Sequence, residues 1–127
     1  MPGLLKIVCT GTNRFRISSS EQLKHGLWMA EVTAIDDDQV VAIPAELQNT
    51  ADALGKLIAS LQADSVPANE MPIGAPYRLD ECGWVANRWS ELSPIPAEQK
   101  QRLLELDNPV LRLELVQDLL GEQGLLA

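Results

Sequence analysis

The sequence predicts an α+β fold: a short antiparallel sheet of about three strands, then a long helix, then a helical bundle at the carboxy-terminal end. Three observations predict it. Residues 4–35 alternate apolar and polar side chains in short runs, the period of a half-buried strand. Residues 45–63 place Leu47, Ala51, Leu54, Ile58 and Leu61 at steps of three and four, the stripe of an amphipathic helix. Residues 79–121 hold three more helix patterns with caps and proline starts. Strands first and helices after is the order of an α+β chain. The expected organisation is a single domain over 1–127, with a β part at 1–43, the long helix at 44–63, a connector at 64–78 and the bundle at 79–121.

The first strand is expected at Leu4–Thr10, with Leu5, Ile7 and Cys9 on one face and Lys6, Val8 and Thr10 on the other. Gly11-Thr12-Asn13 reads as a turn, so a hairpin with the sharply alternating Arg14–Ser18 is expected. Ser18–Gly26 is polar and reads as a loop. Leu27–Ile35 is the third strand, with Trp28, Ala30 and Val32 on one face and Leu27, Met29, Glu31 and Thr33 on the other. Asp36-Asp37-Asp38 ends it as a solvated loop, because adjacent carboxylates do not converge on a cation without further ligands.

The long helix opens at Pro44 or Ala45, and Gly55 inside it suggests close approach of another element. The connector, with Pro67, Pro72, Gly74 and Pro76, is expected to be extended and exposed. Asp80 is read as the cap of a helix to about Leu92, with Cys82, Val85, Ala86, Trp89 and Leu92 buried and Trp84 off that stripe. Pro96 starts the next helix. Asn108 is the expected N-cap of the last one, with Pro109 as its first residue and Gly121 as its stop. So short a joint predicts that these two helices form a hairpin.

Composition narrows the functional classes. The net charge of −8 is uneven: residues 1–35 hold Lys6, Arg14, Arg16 and Lys24 against Glu21 and Glu31, and the acidic excess lies beyond them. Such a surface repels nucleic acid and anionic membranes, so neither is an expected partner. No apolar run approaches the roughly 18 residues of a membrane span. Cys9 and Cys82 are too far apart in sequence to suggest a metal pair, and both are expected as reduced, apolar fillers in a cytoplasmic protein. There is no phosphate-binding glycine loop and no nucleophile elbow. The single histidine, His25, sits in a polar loop with no acid partner visible in sequence. No enzyme chemistry and no cofactor are expected.

The segments together resemble a known family. Gly11, Arg14, Phe15, Arg16 and Ile17 follow the pattern G-x-x-R-F-R-I, and Ala30, Glu31 and Val32 follow as the end of a strand. Pro94, Ile95 and Pro96 lead to Lys100, Gln101, Leu103, Leu104, Glu105 and Asp107, then to Arg112, Leu113, Leu119 and Leu120. In order and spacing these are similar to the amino-terminal, substrate-binding domain of Lon protease. The resemblance spans nearly the whole chain and implies the latter part of such a domain, with more of the sheet upstream. It implies a non-catalytic module that binds unfolded or tagged polypeptides. The alternative is a structural module that assembles with itself, as a homo-oligomer through the β part with Leu4–Thr10 as the open edge. A surface for unfolded chains needs exposed apolar side chains and strand edges. Leu27, Trp28 and Met29 are the candidates, with Trp84 at the margin.

Overall fold

The polar run after Ile17 is strand rather than loop. In the computed structural model, which describes residues 3–126, strand β1 spans Phe15–Gln22 and pairs antiparallel with β2, Trp28–Ala34. The register matches Phe15 with Ala34 and Ile17 with Val32, then shifts at a bulge, so that Ser19 meets Glu31 and Gln22 meets Trp28. Ser18 takes the extra position, and its hydroxyl donates to the Glu31 carbonyl at 3.1 Å. Pairing with β2 thus carries Ser18–Gln22 into the sheet despite a composition that favours turns.

Leu4–Thr10 is not a strand, and its expected hairpin with Arg14–Ser18 is replaced by the β1–β2 hairpin. The sheet of the described residues therefore has two strands instead of about three. Alternation gives a segment the capacity to be a strand, but only a partner for its N–H and C=O groups makes it one. Cys9, expected as a core filler, is exposed for the same reason.

The chain divides into two compact units, Met1–Asp37 and Asp38–Ala127. The second is helical. A short 3-10 turn, Ala45–Leu47, leads into α1, Gln48–Ala63. Helix α2 is Cys82–Leu92, α3 is Ala97–Glu105 and α4 is Pro109–Glu122. The expected stripes form its core: Leu47, Ala51, Leu54 and Ile58 of the first helical segment meet Cys82, Val85, Ala86 and Trp89 of α2, with Leu103, Leu113, Val116 and Leu120. Leu61 and Leu92 are only half-buried. Leu79 comes within 3.6 Å of where a Gly55 Cβ would lie, an ordinary packing distance.

Several boundaries differ from expectation. The N-cap of α2 is Glu81, not Asp80, and its side chain makes no capping bond. The chain is held there by strand-like contacts: Ala42 bridges Glu81, and the Cys82 N–H donates to the Val41 carbonyl at 2.9 Å. The connector is not wholly exposed, because Ile73 is buried in the core and Ala68–Glu70 forms a 3-10 turn. Helix α4 runs through Gly121 to Glu122, and the left-handed residue that follows is Gly124. Its main packing partner is α2 rather than α3, so α3 and α4 do not form the expected hairpin.

Asn108 caps α4 as the sequence implies. Its side-chain oxygen accepts from the N–H groups of Val110 at 3.0 Å and Leu111 at 3.3 Å, and Pro109 follows as the first helical residue. Asn108→Ala is expected to lower the unfolding free energy by about 1 kcal/mol. Urea denaturation reads this directly; an unchanged midpoint would show that solvent satisfies those two N–H groups equally well.

Candidate functional site

The hairpin sorts its side chains by the pleat. Alternation along β2 and the register to β1 put Phe15, Ile17, Ser20, Gln22, Trp28, Ala30, Val32 and Ala34 on one face, with Gln22 opposite Trp28 and Ser20 opposite Ala30. Arg16, Ser19, Glu21, Met29, Glu31 and Thr33 occupy the other. The large apolar side chains of the first face are open: Phe15 and Ile17 are each 57% exposed, Trp28 64% and Val32 52%. Exposed apolar side chains this large, grouped on one face of a small sheet, make that face the candidate interaction surface.

The sequence-predicted residues divide across this geometry. Leu27, Trp28 and Met29 are all exposed at the start of β2, but Trp28 faces the apolar side while Met29, opposite Glu21, faces the polar side. Alternation puts Leu27 with Met29. Trp84 belongs to the helical unit, on α2. It is half-buried, with Tyr77 edge-on at 6.3 Å between ring centroids and the Arg88 guanidinium 5.7 Å from its ring. Its face is thus already occupied by a cation–π contact and an aromatic one. Phe15, Ile17 and Val32 were not among the sequence candidates. Their alternation was visible, but joining them to Trp28 requires the β1–β2 register, bulge included.

The helical unit holds a second cluster that sequence did not reveal. Arg112 of α4 is 1% exposed. Its guanidinium donates to both carboxylate oxygens of Asp38, at 2.6 and 3.1 Å, and to Asn87 Oδ1 at 3.2 Å. Its Nε donates to the Leu103 carbonyl at 3.0 Å, and Nη2 to that of Leu106. Asp38 is therefore not part of a solvated acidic loop. One member of that triplet is drawn inward, beside Gly83, where a Cβ would meet Asp38 Oδ2 at 2.7 Å. Every donor direction of the guanidinium is used within the protein, which makes this a structural node.

Little in the unit suggests bond-making chemistry. An open groove of about 480 Å³ runs along α1, floored by Ala51, Gly55 and Ala59 and edged by Asp52, Lys56 and Leu79. It contains no nucleophile–base pair. Burial pushes the Cys82 thiol above its ordinary pKa, with a backbone hydrogen bond opposing, so the reactive thiolate is disfavoured. Among the described residues, no group of three His, Cys, Asp or Glu is placed to hold a metal ion, and no helix is long and apolar enough to cross a membrane.

Comparison with known proteins agrees with this architecture. A family model described as the ATP-dependent protease La (LON) substrate-binding domain matches residues 2–122. The crystal structure of a Lon N-terminal domain protein from Xanthomonas campestris is similar, with a TM-score of 0.65 and 28% identity. That alignment covers 85% of this chain and 53% of the other, so the chain spans about half the length of that relative. No curated protein matches. A match over residues 2–122, on a chain whose hairpin and helices follow in the order the motifs require, places it in a family: the chain belongs to the LON substrate-binding domains.

Proposed function

We propose that this chain is a non-catalytic module that binds unfolded or tagged polypeptide through its β-hairpin. The observation that carries the reading is the exposed apolar face of Phe15, Ile17, Trp28 and Val32. Unfolded chains share no fixed shape, but they share exposed apolar side chains and unpaired backbone. An open apolar sheet face with free strand edges offers complements to both. Trp28 is the natural anchor, because a tryptophan covers a large area for little conformational entropy and such residues dominate binding energy. Leu27 and Met29 present a smaller apolar patch on the reverse side of the hairpin. A cytoplasmic setting goes with the reading, since an exposed free thiol such as Cys9 persists in a reducing compartment.

The test is fluorescence anisotropy of a labelled, permanently unfolded polypeptide such as denatured casein, with a folded protein as control. Binding to the first and not to the second is expected. Trp28→Ala should weaken it about tenfold or more, the loss typical of an interface anchor. Because Trp28 is exposed, its removal leaves folding intact. Absence of binding at high micromolar protein, or an affinity indifferent to Trp28→Ala, overturns the proposal.

A further inference from the structure

The Arg112 cluster has the form of a carboxylate site filled by the chain's own Asp38. Arg112, on α4, is 1% exposed. Its Nη1 and Nη2 each donate to one oxygen of the Asp38 carboxylate, at 2.6 and 3.1 Å, the paired geometry by which a guanidinium reads a carboxylate. Asn87 and the carbonyls of Leu103 and Leu106 take its remaining donors and fix the plane of the fork. The carboxylate lies against Gly83, in the first turn of α2, where the positive end of the helix favours an anion. A Cβ there would fall 2.7 Å from Asp38 Oδ2 and 3.3 Å from its Cγ, so the cradle exists because residue 83 is glycine.

The segment that delivers the carboxylate is held less firmly than the cradle. Residues 38–43 form a strap with no helix or strand of its own beyond the single bridge from Ala42 to Glu81. Gln39, Val40 and Ala42 are exposed, Val40 at 75%, and Val41 and Ile43 are only half-buried. Cys82 ties the strap to α2: its N–H donates to the Val41 carbonyl at 2.9 Å, and its thiol to the Ala42 carbonyl at 3.6 Å. The cradle, by contrast, stands on α2, α3 and α4, whose Val85, Leu103, Leu113 and Val116 are buried together in the core. Segments with few buried apolar contacts open locally, at a free energy below that of global unfolding.

We propose that this cradle is a carboxylate-binding site closed in cis. Asp38 is its resident ligand, the strap is its lid, and the ligand in trans is an aspartate side chain on an extended segment of another polypeptide. Opening of the lid withdraws Asp38 and leaves Arg112, Asn87 and Gly83 in place, since these stand on packed helices. The chemistry selects the ligand. A buried guanidinium stripped of its partner is costly, so the open cradle favours a carboxylate that restores both bonds. An amide offers one acceptor oxygen where the fork needs two. The closed strap lowers the apparent affinity by the fraction of molecules that are open. The site lies within the helical unit and does not depend on the hairpin's affinity for unfolded chains.

Native-state hydrogen exchange on the full chain reads the lid. The Cys82 amide should exchange about tenfold or more faster than the core amides of Trp89 and Val116, corrected for their intrinsic rates. Asp38→Ala removes the resident ligand. Its melting temperature should rise by several degrees in sodium formate at about ten times the dissociation constant, and not in sodium chloride of equal ionic strength or in formamide. If that variant is unfolded in chloride, recovery of helical ellipticity in formate reads the same binding. Adding Arg112→Met should abolish the response, because an apolar side chain fills the site without offering donors. A labelled acetyl-Asp-Gln-Val-Val-amide peptide, the sequence of residues 38–41, should bind Asp38→Ala at least about tenfold more tightly than the unaltered chain. Its asparagine counterpart should bind neither. Formate no better than chloride overturns the proposal, as does a response that survives Arg112→Met or a peptide indifferent to its aspartate. A Cys82 amide that exchanges only by global unfolding, or a peptide that binds both chains alike, overturns the lid and the proposal with it.

Discussion

Arg112→Ala is expected to destabilise the helical unit by about 3–5 kcal/mol, the cost of removing one partner from a buried ion pair. The guanidinium is almost wholly buried and serves Asp38, Asn87 and the carbonyls of Leu103 and Leu106 at once. Its removal leaves a carboxylate in a site that is only 16% exposed, and takes from the Leu103 and Leu106 carbonyls, at the carboxy-terminal end of α3, the guanidinium donors they accept. Against a typical total of about 5–15 kcal/mol, that is a large fraction of the stability. Arg112→Lys should recover little, because a single ammonium cannot reach partners spread around a planar fork. Asp38→Ala should be costly too, and the double variant should cost clearly less than the sum, since both changes break one network. Urea denaturation of the four proteins measures all of this. A loss below about 1 kcal/mol for Arg112→Ala would mean that the network carries no more weight than a surface pair.

Trp89→Ala is expected to cost about 3–5 kcal/mol as well, by a different route. Trp89 is 6% exposed and packs with α1 residues in the core. Its indole Nε1 donates to the Thr50 carbonyl at 2.9 Å, while the Thr50 hydroxyl, also buried, donates to the Leu47 carbonyl at 2.6 Å. Truncation therefore opens a cavity between α1 and α2 and removes the hydrogen bond that joins them. Trp89→Phe separates the two terms: it fills most of the space and omits only the donor, so it should lose much less than alanine does. Equal losses for the two variants would assign the effect to the hydrogen bond, and a loss below about 1 kcal/mol for alanine would remove Trp89 from the core.

The two variants test interactions of unequal visibility in sequence. Trp89 was legible because Cys82, Val85, Ala86 and Trp89 recur at helical spacing, and a stripe of that kind buries itself whatever it packs against. Arg112 was not. It stands among leucines in α4, where an arginine ordinarily faces water, and its carboxylate partner lies 74 residues earlier. No local pattern encodes such a pair. Nor did the acidic triplet show that Asp38 alone would turn inward, because the cause is the space left beside Gly83 on α2.

The sheet shows the same division. Alternation marked Trp28 and its face, and it marked Phe15 and Ile17 as a strand's apolar side. It did not decide which strands pair. That choice joined Phe15, Ile17 and Val32 to Trp28, drew the polar Ser18–Gln22 into β1, and left Leu4–Thr10 exposed and outside the strands. By itself the sequence determined the α+β order, the helix stripes and the Asn108-Pro109 start of α4, because periodicity and capping act within a few residues of the chain. Only the tertiary structure decided the strand register, the α2–α4 packing and the burial of Arg112 on Asp38. Each of these depends on partners distant in sequence, whose geometry exists only once the chain has folded.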